Sequence, residues 1–214
     1  MIAHDFFVAA IALALLMLYA LLAVGVRMAV QLHRTGSSGL TGMHSLTSRS
    51  ERLGGLLFAV AILLCLSGPI LELSGVLGAL GLLSGEASEI FGVLLAVTGI
   101  SITLAAQLAM GDSWRVGVDQ SERTELVTDG PFALVRNPIF TGMIPAFAGI
   151  ALLAPDVFTL AGVLLLAAAL ELHTRVIEEP YLASVHGRSY AAYAGRVGRF
   201  LPGVGRLQQQ EDVL

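Results

Sequence analysis

The chain alternates between long runs without charge and short stretches crowded with polar side chains. Uncharged runs occupy residues 6–26, 53–71 and 90–110. Each is close to the ~20 apolar residues that a helix rising ~1.5 Å per residue needs to cross a hydrocarbon core ~30 Å thick. His4 and Asp5 precede the first run and Arg27 follows it, which is not the order of a cleaved leader, so a retained first helix is expected. Pro69 is placed to kink or end the second helix. Residues 72–89, bounded by acidic side chains, are too short to span and are expected as an outer loop or a half-inserted segment. Two shorter apolar runs, 137–155 and 157–170, break at Pro155 and Asp156 and predict a tight helical hairpin, either spanning or re-entrant. Polar segments fill 31–52 and 111–137, and the chain is amphipathic from Glu171 onward. The pattern predicts an all-α polytopic membrane protein with about five transmembrane helices. Three of these helices fall in 1–110, followed by a second region over 111–214.

Composition sharpens this reading. The chain is 56% hydrophobic and 13% charged, about half the ~25% charge of soluble domains. Its single Cys, Cys65, lies in an apolar run, and the five His are scattered without metal-ligand spacing. Neither a disulfide framework nor a metal site is expected, and nothing is basic or aromatic enough for nucleic acid. All 12 basic residues are Arg. In the five-helix arrangement every Arg falls on one side, in 27–52, 111–137 and the tail from 171. Asp5, Glu72, Glu86, Glu89 and Asp156 fall on the other. The positive-inside rule then puts the N-terminus outside and the 111–137 loop and C-terminus together on the cytoplasmic face. Arg-only basic usage with abundant Ala, Gly, Leu and Val points to a GC-rich bacterial genome, hence to a bacterial plasma membrane.

Two polar stretches concentrate the candidate chemistry. In the first, Asp129-Gly130-Pro131 reads as a turn, Gly supplying positive φ and Pro a fixed φ. Arg136-Asn137-Pro138 then opens the apolar run that begins at Ile139, with Pro138 suited to a first helical turn. Such a helix start can aim free N–H groups at an anionic ligand; it is equally a plain loop-to-helix junction with a headgroup Arg. In the second, Arg175, Glu178, Glu179 and Leu182 share one face if helical. Pro180 predicts a break or a new first turn near Glu179. An Arg beside paired carboxylates is either a site or a headgroup-level ion pair. Tyr190, Tyr193 and Phe200 fit interfacial anchors as well as a pocket wall. Trp114 and Arg115 at the end of the third helix read as an aromatic-belt boundary.

Taken together the motifs resemble the isoprenylcysteine carboxyl methyltransferase family, with its bacterial relatives and the phospholipid N-methyltransferases. The resemblance rests on Leu126-Val127-Thr128-Asp129-Gly130-Pro131-Phe132, Arg136-Asn137-Pro138-Ile139-Phe140, Glu178-Glu179, and Gly187-Arg188-Ser189-Tyr190 followed by Tyr193. It covers roughly 110–202; the first hundred residues match only as membrane spans. Asn137 stands where the family usually has His, which removes a titrating imidazole but keeps hydrogen bonding.

The resemblance implies methyl transfer from S-adenosylmethionine, with S-adenosylhomocysteine as product, in a pocket on the cytoplasmic side. Carried over, it makes Thr124, Glu125, Leu126, Val127, Phe132, Arg136, Asn137, Pro138, Ile139, Phe140, Glu178, Tyr190 and Tyr193 the expected cofactor contacts. It assigns Arg175 to the acceptor's carboxylate and Glu179 to the catalytic centre. In a gapless alignment the family's Arg falls one position earlier, at Thr174. The implied partners are the lipid bilayer and a lipophilic small-molecule or prenylated acceptor. Two other readings share the helical layout: an NADPH-dependent membrane reductase of steroid-reductase type, and a non-catalytic lipid- or partner-binding protein.

Overall fold

The computed structural model describes residues 2–40, 48–81, 83–115 and 125–207, and among these the regular structure is all helix, without strands. Four helical stretches are long and apolar enough to cross a membrane: His4–Thr35, Arg49–Leu73, Glu86–Ser113 and Val157–His186; Pro138–Leu153 is a shorter apolar helix. In finer detail the elements are α1 (Ile2–Ala20), a wide π turn (Leu21–Val26), α2 (Arg27–Thr35), α3 (Arg49–Leu73) and α4 (Glu86–Met110). They continue with α5 (Pro131–Leu134), α6 (Pro138–Leu153), α7 (Val157–His173), a second π turn (Thr174–Glu178), α8 (Glu179–His186) and α9 (Arg188–Arg196).

Local chemistry accounts for the helix limits. At the start of α3, the Glu51 N–H donates to Ser48 Oγ at 3.0 Å and the Ser48 N–H to Glu51 Oε2 at 2.9 Å, a capping box. Pro69 does not end this helix, which continues to Leu73. The hairpin break falls at Pro155–Asp156 as the sequence predicts, and Asp156 caps α7 through the N–H groups of Phe158 and Thr159. Beyond Leu170, where the apolar run stops, the helix does not. Pro180 lacks an N–H and would crowd the preceding turn. The chain widens instead: the Glu179 N–H bonds to Thr174 O in a π turn, and a fresh α-turn with Pro180 near its start carries on to His186.

Small residues let the helices touch. Gly92, Ala96, Gly99 and Thr103 form one face of α4 against Gly142, Ala146 and Gly149 of α6. A Cβ on Gly99 would lie 2.3 Å from Ala146 N and 2.5 Å from Gly142 O. The α3–α7 contact is built alike, with Gly162 backed onto Cys65 and Ala61. In a membrane, such backbone proximity gains dispersion contact where lipid removes the hydrophobic drive. α1 lies across both pairs, with Tyr19 edge-on to Phe147 at 5.3 Å.

The bundle has two unlike ends. At one, His4 meets Glu89 at 2.9 Å and the Leu80 N–H bonds to Pro155 O at 2.7 Å. At the other, α2 meets the 111–115 segment, and α8, α9 and the 197–207 segment fold against the start of α6.

Candidate functional site

Three buried charged side chains from distant parts of the sequence meet at this second end. Arg136 lies just before α6, Glu179 opens α8, and Arg199 follows α9. Arg136 Nη2 donates to Glu179 Oε1 at 2.5 Å. Arg199 grips the same carboxylate with two nitrogens, Nε to Oε1 and Nη2 to Oε2, both at 2.8 Å. Side-chain exposure is 2% for Arg136, 9% for Glu179 and 11% for Arg199, so this is an interior knot with little solvent screening. Arg136 Nη1 and Nη2 also reach backbone carbonyls of Ala194 (3.1 Å), Val197 (2.5 Å) and Gly205 (3.0 Å). One guanidinium thereby ties α6, α8 and the C-terminal segment together. Arg199 also reaches Glu171 at 3.3 Å, and the hydrogen bonds and charge of Glu179 raise its pKa further.

The backbone repeats the same tie. The Arg136 N–H donates to Gly198 O at 2.8 Å and the Asn137 N–H to Arg199 O at 3.1 Å, a short parallel pairing centred on Val135 and Gly198. Gly198 must be Gly, since a Cβ there would sit 2.0 Å from Leu201 O. Asn137 adds its side-chain amide to the same Arg199 carbonyl at 3.2 Å, and Thr141 Oγ1 donates to Phe200 O at 2.9 Å. The start of α6 therefore faces the carbonyls of the C-terminal segment. Tyr190 and Tyr193, with Ala194, form a small separate core into which Leu126, Leu182, Val197 and Leu207 pack. Tyr193 OH donates to Phe132 O at 2.7 Å, and burial pushes this phenol up to about 12. Burial raises Tyr190 as well, and the nearby Glu179 adds to the shift.

Glu178 goes the other way from its neighbour. The π turn separates their directions: Glu179 enters the knot, whereas Glu178 Oε2 is buried without a hydrogen-bond partner among the described residues. Thr174 Oγ1, on the same turn and fully buried, and Arg136 Nε are likewise unpartnered. Arg115 lies within electrostatic reach of Glu178. It donates to Tyr181 OH at 3.3 Å and lies over that ring at 5.7 Å.

Of the residues singled out in the sequence, the structure brings together Arg136, Asn137, Glu179, Phe132, Tyr190 and Tyr193, with Leu126 on the flank of the tyrosine cluster. Pro138 is buried at the head of α6; Val127, Ile139 and Phe140 are half-buried and Glu125 is exposed. Phe140 meets His173 edge-on at 6.0 Å. Thr124 lies outside the described residues. Arg175 lies apart, 59% exposed and paired with Glu171 on its own helix. Its one-residue offset from the family position coincides with the π turn, where buried Thr174 occupies the inward direction. Trp114, read as a belt residue, is 3% exposed beneath Arg27. Sequence reasoning missed Arg199 and Glu171. Arg199 sits between two Gly-containing turns with no carboxylate near it in sequence, so its partner became visible only when the segment folded back.

The comparisons agree with the motifs. Residues 87–189 match the model of the phospholipid methyltransferase family. The nickel-cobalt-cadmium resistance protein NccN of Alcaligenes xylosoxydans xylosoxydans is 28% identical over 122 residues, 56% of this chain and 55% of that protein. This chain thus spans about half the length of that curated relative. Among solved structures, the eukaryotic intramembrane Ras methyltransferase, an isoprenylcysteine carboxyl methyltransferase, superposes with a TM-score of 0.63 at 17% identity. That match covers 96% of this chain and 70% of the other. At that identity the likeness is one of fold.

Proposed function

We propose that this chain, whose residues 87–189 match the phospholipid methyltransferase family model, is an integral-membrane methyltransferase. It uses S-adenosylmethionine and a lipophilic acceptor, a carboxylate of isoprenylcysteine type among the candidates. The observation that carries the reading is Glu178. Its Oε2 is buried beside the closed Arg136–Glu179–Arg199 knot without a donor among the described residues. An unsatisfied buried carboxylate oxygen costs more than ~1–3 kcal/mol, so a ligand that brings a donor or a positive charge is favoured there. The ammonium and hydroxyl groups of S-adenosylmethionine are such donors, and Thr174 Oγ1 offers a second polar contact. Leu126, Val127, Phe132, Ile139 and Phe140 would supply apolar walls for its adenine.

The bound cofactor supplies a methyl group on a sulfonium. A carboxylate acceptor is already ionised at neutral pH and needs no general base. The protein's part is then to align the acceptor and strip water from it. The knot suits that task because it holds α6, α8 and the C-terminal segment as one rigid wall. Arg175, exposed and paired with Glu171, is the proposed contact for an incoming acceptor carboxylate. The end of the bundle that carries the Arg residues is proposed to face the cytoplasm of a bacterial cell, with the N-terminus outside.

The test is calorimetry on detergent-purified protein with S-adenosylmethionine, S-adenosylhomocysteine and NADPH. Saturable binding of the two adenosyl compounds that is lost in Glu178→Ala is expected. Binding of NADPH alone would replace this reading with a membrane reductase, and binding of none would remove the case for catalysis.

A further inference from the structure

The first membrane helix continues past the bundle as α2 and reaches the segment that follows α4. In an α-helix of about 3.6 residues per turn, positions four apart drift around the axis. The wide turn Leu21–Val26 offsets part of that drift, so Tyr19, Ala23, Arg27 and Gln31 all stay buried, at 6%, 3%, 5% and 4% exposure. Arg27 Nη2 donates to Gly111 O, and the guanidinium lies over the Trp114 ring at 5.0 Å. Gln31 Nε2 donates to Asp112 O at 2.7 Å. Among the described residues no carboxylate pairs with Arg27 at ion-pair distance. A guanidinium buried against a carbonyl and a ring is a costly way to fix a loop, and an ionisable group so placed on a membrane helix marks a position that matters.

The next residue shows what is being fixed. Arg115 follows Trp114 directly and holds Tyr181 through both a hydrogen bond and its ring. Tyr181 lies on α8, about one turn beyond Glu178. We infer that Arg27 and Gln31 are positioning residues for the cofactor site. By fixing the backbone of 111–114 they set Arg115 against α8, and through it the turn that bears Glu178. The inference rests on the cofactor reading above and extends it to a helix that matches the family only as a membrane span.

The full chain in detergent provides two readouts: the Kd for S-adenosylhomocysteine by calorimetry, and the emission of Trp114, the one Trp in the chain. Arg27→Gln and Gln31→Met should each weaken binding by about tenfold, the order set by losing one part-buried hydrogen bond. Arg27→Gln should also shift Trp114 emission to the red, and Arg27→Lys should recover part of both effects. Arg34→Gln removes only an exposed pair with Asp112, at 54% and 60% exposure, and should leave Kd within about twofold. Should Arg27→Gln not fold, Gln31→Met and Arg27→Lys carry the test. Wild-type binding that the folded variants retain within about twofold, with Trp114 released, would overturn this inference alone. No binding by the wild type would overturn the cofactor reading and this inference with it.

Discussion

Replacing Glu179 by Gln tests the knot that organises the site. The substitution keeps the shape of the side chain and deletes its charge. Two guanidinium groups then face each other at 2% and 11% exposure, with three charge-assisted hydrogen bonds weakened or lost. Removing one partner of a buried pair costs roughly 3–5 kcal/mol, mostly as the penalty of the charge left behind. Arg136 keeps its three carbonyl partners and Arg199 keeps Glu171, which moderates the loss, while the second stranded cation adds to it. The cost falls on the docking of the C-terminal segment, because two of the carbonyls that Arg136 holds, those of Val197 and Gly205, belong to it. At ~1.4 kcal/mol per tenfold, 3–5 kcal/mol raises the undocked population by about a hundredfold to several thousandfold. Trypsin reports this directly, since Arg199 is buried and cleavage after it requires the segment to open. With reclosing faster than cutting, the cleavage rate follows the open population. Mass spectrometry of a digestion time course supplies the rates. A Glu179→Gln protein cut after Arg199 within about tenfold of the wild-type rate would refute the claim that the knot holds the segment.

Further outcomes follow from single contacts. Gly99→Leu should abolish a monodisperse elution peak, because its Cβ has backbone at 2.3 Å; Gly78→Ala, with nothing within 4 Å, should leave the peak unchanged. Asp156→Ala removes the cap bonds from Phe158 N (2.7 Å) and Thr159 N (3.1 Å). A cost of ~1–2 kcal/mol should lower the melting temperature by about 2–8 °C, and Asp156→Asn should recover most of it. The Tyr193 phenol, raised by burial from 10.0 to about 12, contributes stability that is complete below pH 10 and is lost as pH rises through about 12. Melting curves taken across that window should fall more steeply for the wild type than for Tyr193→Phe.

Much of the fold was legible because membrane helices announce themselves locally. Each uncharged run over 6–26, 53–71 and 90–110 lies inside a helix of the bundle, and the turn at Pro155–Asp156 is where the sequence puts it. The continuation of α7 was not legible. Polarity beyond Leu170 looks like the end of a membrane helix; Pro180 predicts a break or a new first turn near Glu179, and α8 does begin there. Whether a proline ends a helix or is absorbed by one wide turn depends on the packing around it.

The candidate site divides along the same line. Residue order alone brought Arg136, Asn137, Glu178 and Glu179 into view, together with the two tyrosines, since their spacing is a linear property. It also assigned every Arg to one side, and the described Arg residues do lie at the bundle end opposite Asp5, Glu72, Glu89 and Asp156. Tertiary structure decided which of two adjacent glutamates enters a closed ion knot and which is left with an unpartnered buried oxygen. It turned Arg175 outward and Thr174 inward, buried Trp114 under Arg27, and brought Arg199 back to a carboxylate on another helix. Helical periodicity specifies a direction relative to near neighbours along the chain. A single π turn rotates everything after it, and the partner of a buried charge is chosen by whichever distant segment folds against it.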